Sequence, residues 1–166
     1  MGGAMNNEHF RVRADEVIHS LEVAFPRLPV PCIYRNEDGR RNYEVDDDMK
    51  KFIGRSWADI YLDDWIRSIR PAAIRDCTSA AFFRYYLPSL LVGVLENMEW
   101  AHLALSALLP DNQKLEPRAE WLRFRQGFTP TQVAAIVAFL ELLRDSCDPT
   151  WSDWFGANAG LSGLWK

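Results

Sequence analysis

The thirty residues AFFRYYLPSLLVGVLENMEWAHLALSALLP, from Ala81 to Pro110, set the tightest limit on what this chain can fold into. They are the most apolar stretch, yet Pro88, Glu96, Asn97, Glu99 and His102 interrupt them too often for a membrane span. What remains is a helical rod at the centre of a core made by other helices. A Thr/Ser cap at Thr78–Ser79 should start it, and Pro88 should kink or end the first part. A long helix from about Ser89 to Leu109 then follows, closed by Pro110. Leu91, Val94, Met98, Ala101, Leu105 and Leu109 form its main stripe. Trp100 and Leu103 lie off that stripe, so the rod is expected to be packed on more than one side.

The flanking segments are helical too. In ADEVIHSLEVAF, Val17, Ile18, Leu21, Ala24 and Phe25 share a face and Pro26 stops the helix. The next segment, PRLPVPCIYRNEDGRRNYE, carries prolines that favour extended backbone and a turn signal at NEDGR, which predicts an extended stretch or a small hairpin. A short helix around Asp46–Asp48 should break at Gly54, and a second, capped by Ser56, should bury Leu62, Trp65, Ile66 and Ile69. Trp121, Leu122 and Phe124 mark a short amphipathic helix. The strongest local signal is FTPTQV: Thr129 as N-cap, Pro130 in the first helical position and Gln132 closing a capping box, with Phe128 and Val133 placed for a hydrophobic staple. That helix should run to about Asp145 and bury Val133, Ile136, Val137, Leu140 and Leu143. The tail holds one turn of helix followed by glycines. The expectation is a single all-α domain over residues 1–166, of about six helices. Residues 1–7 read as disordered or as an expression remnant, with Met5 the natural start.

At 166 residues the chain has the length of one domain with a real core. Its net charge of −4 disfavours nucleic acid, and its basic residues are scattered rather than gathered in a patch: Arg11 and Arg13, Arg40 and Arg41, Arg123 and Arg125. Cys32, Cys77 and Cys147 form no CxxC pair and read as buried reduced thiols. No basic region followed by an apolar one opens the chain, so no signal peptide and a cytoplasmic location are expected.

Chemical motifs are sparse. Glu16–His19 and Glu99–His102 are both Glu-x-x-His pairs, the spacing used in di-iron bundles. At about 100° per residue, Glu16 and His19 fall opposite the apolar stripe of their helix. His102 falls inside the stripe of the other and Glu99 on its edge. The two pairs cannot share a site, so no metal is expected and His102 reads as a core histidine. Neither a GxSxG elbow, a Walker loop, a GxGxxG turn nor a calcium loop is present. No catalytic residue and no cofactor can be assigned.

Two features point to partners instead. Asp46, Asp47 and Asp48, with Asp63 and Asp64, are acidic clusters that read as helix-start charge or as a dock for a basic protein. Seven Trp is a surplus, and Trp151, Trp154 and Trp165 place three of them in the tail, either sealing the core or forming a contact surface. The leading reading is a non-enzymatic protein-binding module, with an immunity protein against a basic bacterial toxin as its sharpest form. An alternative is a small-ligand binder or enzyme with Arg84, Tyr85, Glu99 and His102 around the Pro88 kink. A third is a structural homo-oligomer sealed by the Trp surplus.

At SWADI, FFRYYLPSLL and GFTPTQVAAIVAFLELL the chain resembles a family of small uncharacterised bacterial proteins, a domain of unknown function. The matching residues are Trp57; Phe83, Tyr85, Tyr86, Leu87 and Pro88; and Phe128, Thr129, Gln132, Ala135, Ile136, Phe139 and Leu140. The resemblance implies a bacterial, cytoplasmic protein and brings no activity or cofactor with it. Small acidic helical proteins of this kind resemble immunity proteins in organisation.

Overall fold

Local capping decides where most helices begin. The computed structural model describes residues 5–36 and 42–166. Asn6 caps α1 (Asn7–Ala24), its Oδ1 accepting from the Glu8 N–H at 3.2 Å. Asn42 does the same for α2 (Tyr43–Met49). In α3 (Leu62–Ile66) the Asp64 carboxylate reaches back to the Tyr61 N–H at 2.9 Å. Pro71 opens α4 (Pro71–Cys77), and Ser79 caps α5 (Ala80–Glu96). After α6 (Ala101–Leu108) and α7 (Ala119–Gln126), Thr129 and Gln132 form the expected reciprocal box at the head of α8 (Pro130–Ser146). The chain finishes with α9 (Ser152–Ala159) and a wide turn over Gly160–Leu164. Of the first seven residues, Met5 packs on the core and Asn7 opens α1; Met1–Ala4 lie outside the described residues.

Nine α-helices among the described residues replace the expected six, and one cause is a misplaced break. Pro88 does not end its helix: α5 runs through it, buried on the interior side. The single missing N–H is tolerated because the segment is held by packing on several sides. The break falls at Asn97, whose N–H donates to the Gly93 and Val94 carbonyls, while its side chain caps a 3-10 turn over Met98–Trp100. The long helix expected from Ser89 to Leu109 is therefore two. Ser56 likewise caps only a 3-10 turn, Trp57–Asp59, because Gly54 (φ +77°) turns the chain just before it. The tail forms two turns of helix rather than one.

Helix α5 is the central rod, meeting α1, α3, α4, α6 and α7, while α1 packs on α8 and α8 on α9. Its polar groups are satisfied inside: Ser89 Oγ accepts from Trp65 Nε1 at 2.9 Å, and the Tyr86 hydroxyl lies 2.7 Å from the Phe52 and Arg55 carbonyls. The segment between α1 and α2 is extended but forms no hairpin among the described residues. Its contacts with the helices include a bridge of Arg35 with Thr78, the Ser79 N–H donated to the Tyr34 carbonyl, and the Tyr34 ring against Phe82. The NEDGR turn and Arg40–Arg41 fall at residues 37–41, outside the described residues. Among the described residues no helix is long and apolar enough to cross a membrane.

Candidate functional site

The acidic clusters are largely occupied. Asp48 accepts the Ile69 N–H at 2.7 Å and lies near Lys51, so it ties α2 to the end of the α3 segment. Asp64 caps α3 and pairs with Arg55 at 3.6 Å. Asp63 pairs with Arg67 at 2.9 Å and Asp47 with Lys50 at 3.5 Å. Asp46 sits half-buried in the first turn of α2.

The tail divides its tryptophans by role. Trp165 is 2% exposed and belongs to the core, not to a contact surface. Its Nε1 donates to the Leu108 carbonyl at 2.9 Å, and its ring meets Trp121, Phe124 and Phe128 with Arg125 stacked 4.7 Å away. Trp151 is 61% exposed and Phe155, one turn further along α9, 58%. Trp154 is half-buried and meets the Phe155 ring edge-on at 5.3 Å. Asp148 lies in the turn that leads into Trp151, whose N–H donates to the Asp148 carbonyl at 2.9 Å. Asp148 is fully exposed, and hydrogen bonds from the Thr150 hydroxyl and N–H hold its carboxyl below the usual range. The i, i+4 spacing of Trp151 and Phe155 is the signal in the sequence that pairs them.

The expected site at Pro88 does not assemble. Glu99 and His102 are both exposed, on a 3-10 turn and on α6, and His102 lies against Trp100 at 5.7 Å instead of in the core. The sequence placed it inside because it assumed one continuous helix; the break at Asn97 rotates the following face. Arg84 and Tyr85 do share a hollow of about 290 Å³ with Phe25, Pro26, Leu28 and Gln132. It opens toward the start of the extended segment and the α7–α8 turn, away from Glu99 and His102. The Tyr85 hydroxyl donates to the Arg27 carbonyl at 2.7 Å and accepts from the Trp57 N–H. Arg84 also borders a second hollow of about 260 Å³ beside Arg75, Asp76, Ser79, Glu120 and Arg123.

Arg75, which the sequence did not single out, is 3% exposed and bonded to three backbone carbonyls and a carboxylate. Its guanidinium meets the Ser106, Ala107 and Leu109 carbonyls at 3.1, 3.1 and 2.7 Å, Asp76 at 3.0 Å and Asp111 at 3.6 Å. Nε and Nη1 are spent on Asp76 and the three carbonyls, and Nη2 faces Asp111. Cys32 is exposed and Cys77 and Cys147 half-buried, so the thiols are not the fully buried set expected; burial and Asp153 push Cys147 up to about 11. Among the described residues no three His, Cys, Asp or Glu side chains converge on a point that could hold a metal.

No curated protein and no solved structure matches the chain. One family model does, over residues 43–155, which runs from the first residue of α2 into α9 and includes Arg84, Trp151 and Phe155. That span is more than half of the chain, and the chain belongs to the family of unknown function DUF6714.

Proposed function

We propose that this protein is a non-catalytic protein-binding module whose contact face is the outer side of α9. The observation that carries the reading is the pair of large aromatics, Trp151 and Phe155, standing into solvent one helical turn apart. Aromatic anchors of this kind dominate the energetics of protein interfaces. Asp148, exposed in the turn that leads into Trp151, adds negative charge to a chain already at −4, so the partner is a protein presenting an apolar pocket rimmed by Lys or Arg. An immunity protein masking a basic bacterial toxin is the sharpest form of the reading. The Asp46–Asp48 and Asp63–Asp64 clusters contribute less, since most of their carboxylates already have internal partners.

The test is capture of partner from a native-host lysate by tagged wild-type protein and by the Trp151→Ala/Phe155→Ala double variant, washed at low and then high salt. A stoichiometric partner held by wild type through high salt, and bound at least about thirtyfold more weakly by the variant, supports the reading, that being the scale of one hot-spot truncation. Equal retention by both proteins overturns it. If the captured partner is a second copy of the chain, confirmed by light scattering, the homo-oligomer reading replaces it.

A further inference from the structure

We infer that the hollow between Arg84, Tyr85 and the start of the extended segment binds a small carboxylate with an apolar body. The proposal stands apart from the α9 face and does not depend on it. Its centre is Arg84 on α5. The guanidinium uses Nη1 to donate to the Arg123 and Phe124 carbonyls at 3.0 and 3.2 Å, in the last turn of α7. Its Nε and Nη2 N–H groups meet no acceptor among the described residues, and no carboxylate pairs with it. No buried side-chain polar atom among the described residues lacks a partner, so these donors are not shut into the core, and Arg84 lines both hollows. The residue is nonetheless half-buried, and burial pulls its guanidinium below the ordinary value. A desolvated cation without a counter-charge is a position where an anion gains more than it would in water.

The surroundings hold the cation in place and supply the apolar part. A Cβ on Gly127 would overlap the Arg84 guanidinium, so only glycine at that position leaves this seat free. The Phe128 ring lies under it at 5.9 Å. Phe25, Pro26, Leu28, Pro29 and the Tyr85 ring wall the hollow, whose volume of about 290 Å³ suits one ring with a short acid arm. Thr129 adds a second donor: its Oγ1 accepts from the Gln132 N–H, which leaves the hydroxyl hydrogen for a ligand oxygen. A planar fork facing a carboxylate favours two-point binding, whereas a bare tetrahedral anion would leave the apolar walls unused.

The experiment is a titration of isotope-labelled wild-type protein with 3-phenylpropionate, followed by NMR, with 3-phenylpropionamide and inorganic phosphate as comparison probes. Saturable shifts at the Gly127 and Thr129 amides and the Arg84 Nε–H are expected with the acid. The amide and phosphate should bind at least about tenfold more weakly, since a hydrogen bond to a charged group is worth that much. Arg84→Gln should weaken the acid by a similar factor while α9 signals stay unchanged. No saturation with the acid, or equal affinity for acid and amide, overturns the proposal. So does equal binding of phosphate. The acid-against-amide comparison uses wild type alone, so it decides even if the Arg84 variant unfolds.

Discussion

Two helix ends in this molecule are each met by an arginine, and they are finished differently. At the end of α6, Arg75 takes the Ser106, Ala107 and Leu109 carbonyls, while Trp121 and Trp165 both donate to Leu108. The carbonyls a helix leaves unpaired at its C-terminus are thereby closed with protein donors. Asp76 and Asp111 neutralise the cation. At the end of α7, Arg84 closes two carbonyls, and among the described residues no carboxylate pairs with it. The same residue type is a structural bolt at one junction and the centre of the proposed carboxylate site at the other. What separates them is the balance of counter-charge and acceptors rather than depth alone.

The largest effects should come from breaking the closed junction. Arg75→Met leaves several carbonyls and two carboxylates without their donor and should cost about 3–5 kcal/mol in denaturant unfolding. Trp165→Ala removes a buried ring and a hydrogen bond at the same helix end and should cost about 3–5 kcal/mol. If either falls near zero, the closed junction does not hold the fold.

An intermediate effect reports on the interior face of α5. Burial, with a further push from Tyr85, raises the Tyr86 phenol to about 12, against an opposing pull from Arg55. Because the folded value lies above the ordinary one near 10, folding favours the protonated phenol. That stabilisation is complete below pH 10 and is lost as pH rises toward 12, at up to about 1.4 kcal/mol per pH unit. Tyr86→Phe should remove that slope from the stability profile, and an unchanged slope would locate the titration elsewhere.

The smallest effects belong to the open features. Arg84→Gln should change stability by less than about 1 kcal/mol, and Trp151→Ala by about 0.5 kcal/mol or less, because neither leaves a buried charge or cavity behind. A loss at Arg84 equal to that at Arg75 would erase the contrast between the two junctions.

Local chemistry was legible. Helix class, the turn at Gly54, the Ser79 cap and the Thr129–Gln132 box all depend on residues within a few positions of one another, though α2 ends earlier, at Met49. The buried stripe of α1 and much of that of α8 follow from periodicity for the same reason. The candidate site was legible only in fragments: Arg84 and Tyr85 were found together, but with Glu99 and His102 wrongly joined to them. Pro88 looked like the break and Asn97 did not, because tertiary packing overrides a single missing hydrogen bond.

By itself, then, the sequence determined an all-helical chain, its main caps and the residues rich enough in apolar surface to need burial. Only the tertiary structure decided which tryptophans seal the core and which face water, since Trp151 and Trp165 are chemically identical and differ in what packs against them. It also decided that Arg75 meets two carboxylates and that Arg84 pairs with none among the described residues. The carbonyls that each arginine meets lie 30 or more positions away along the chain, a separation that no local pattern records.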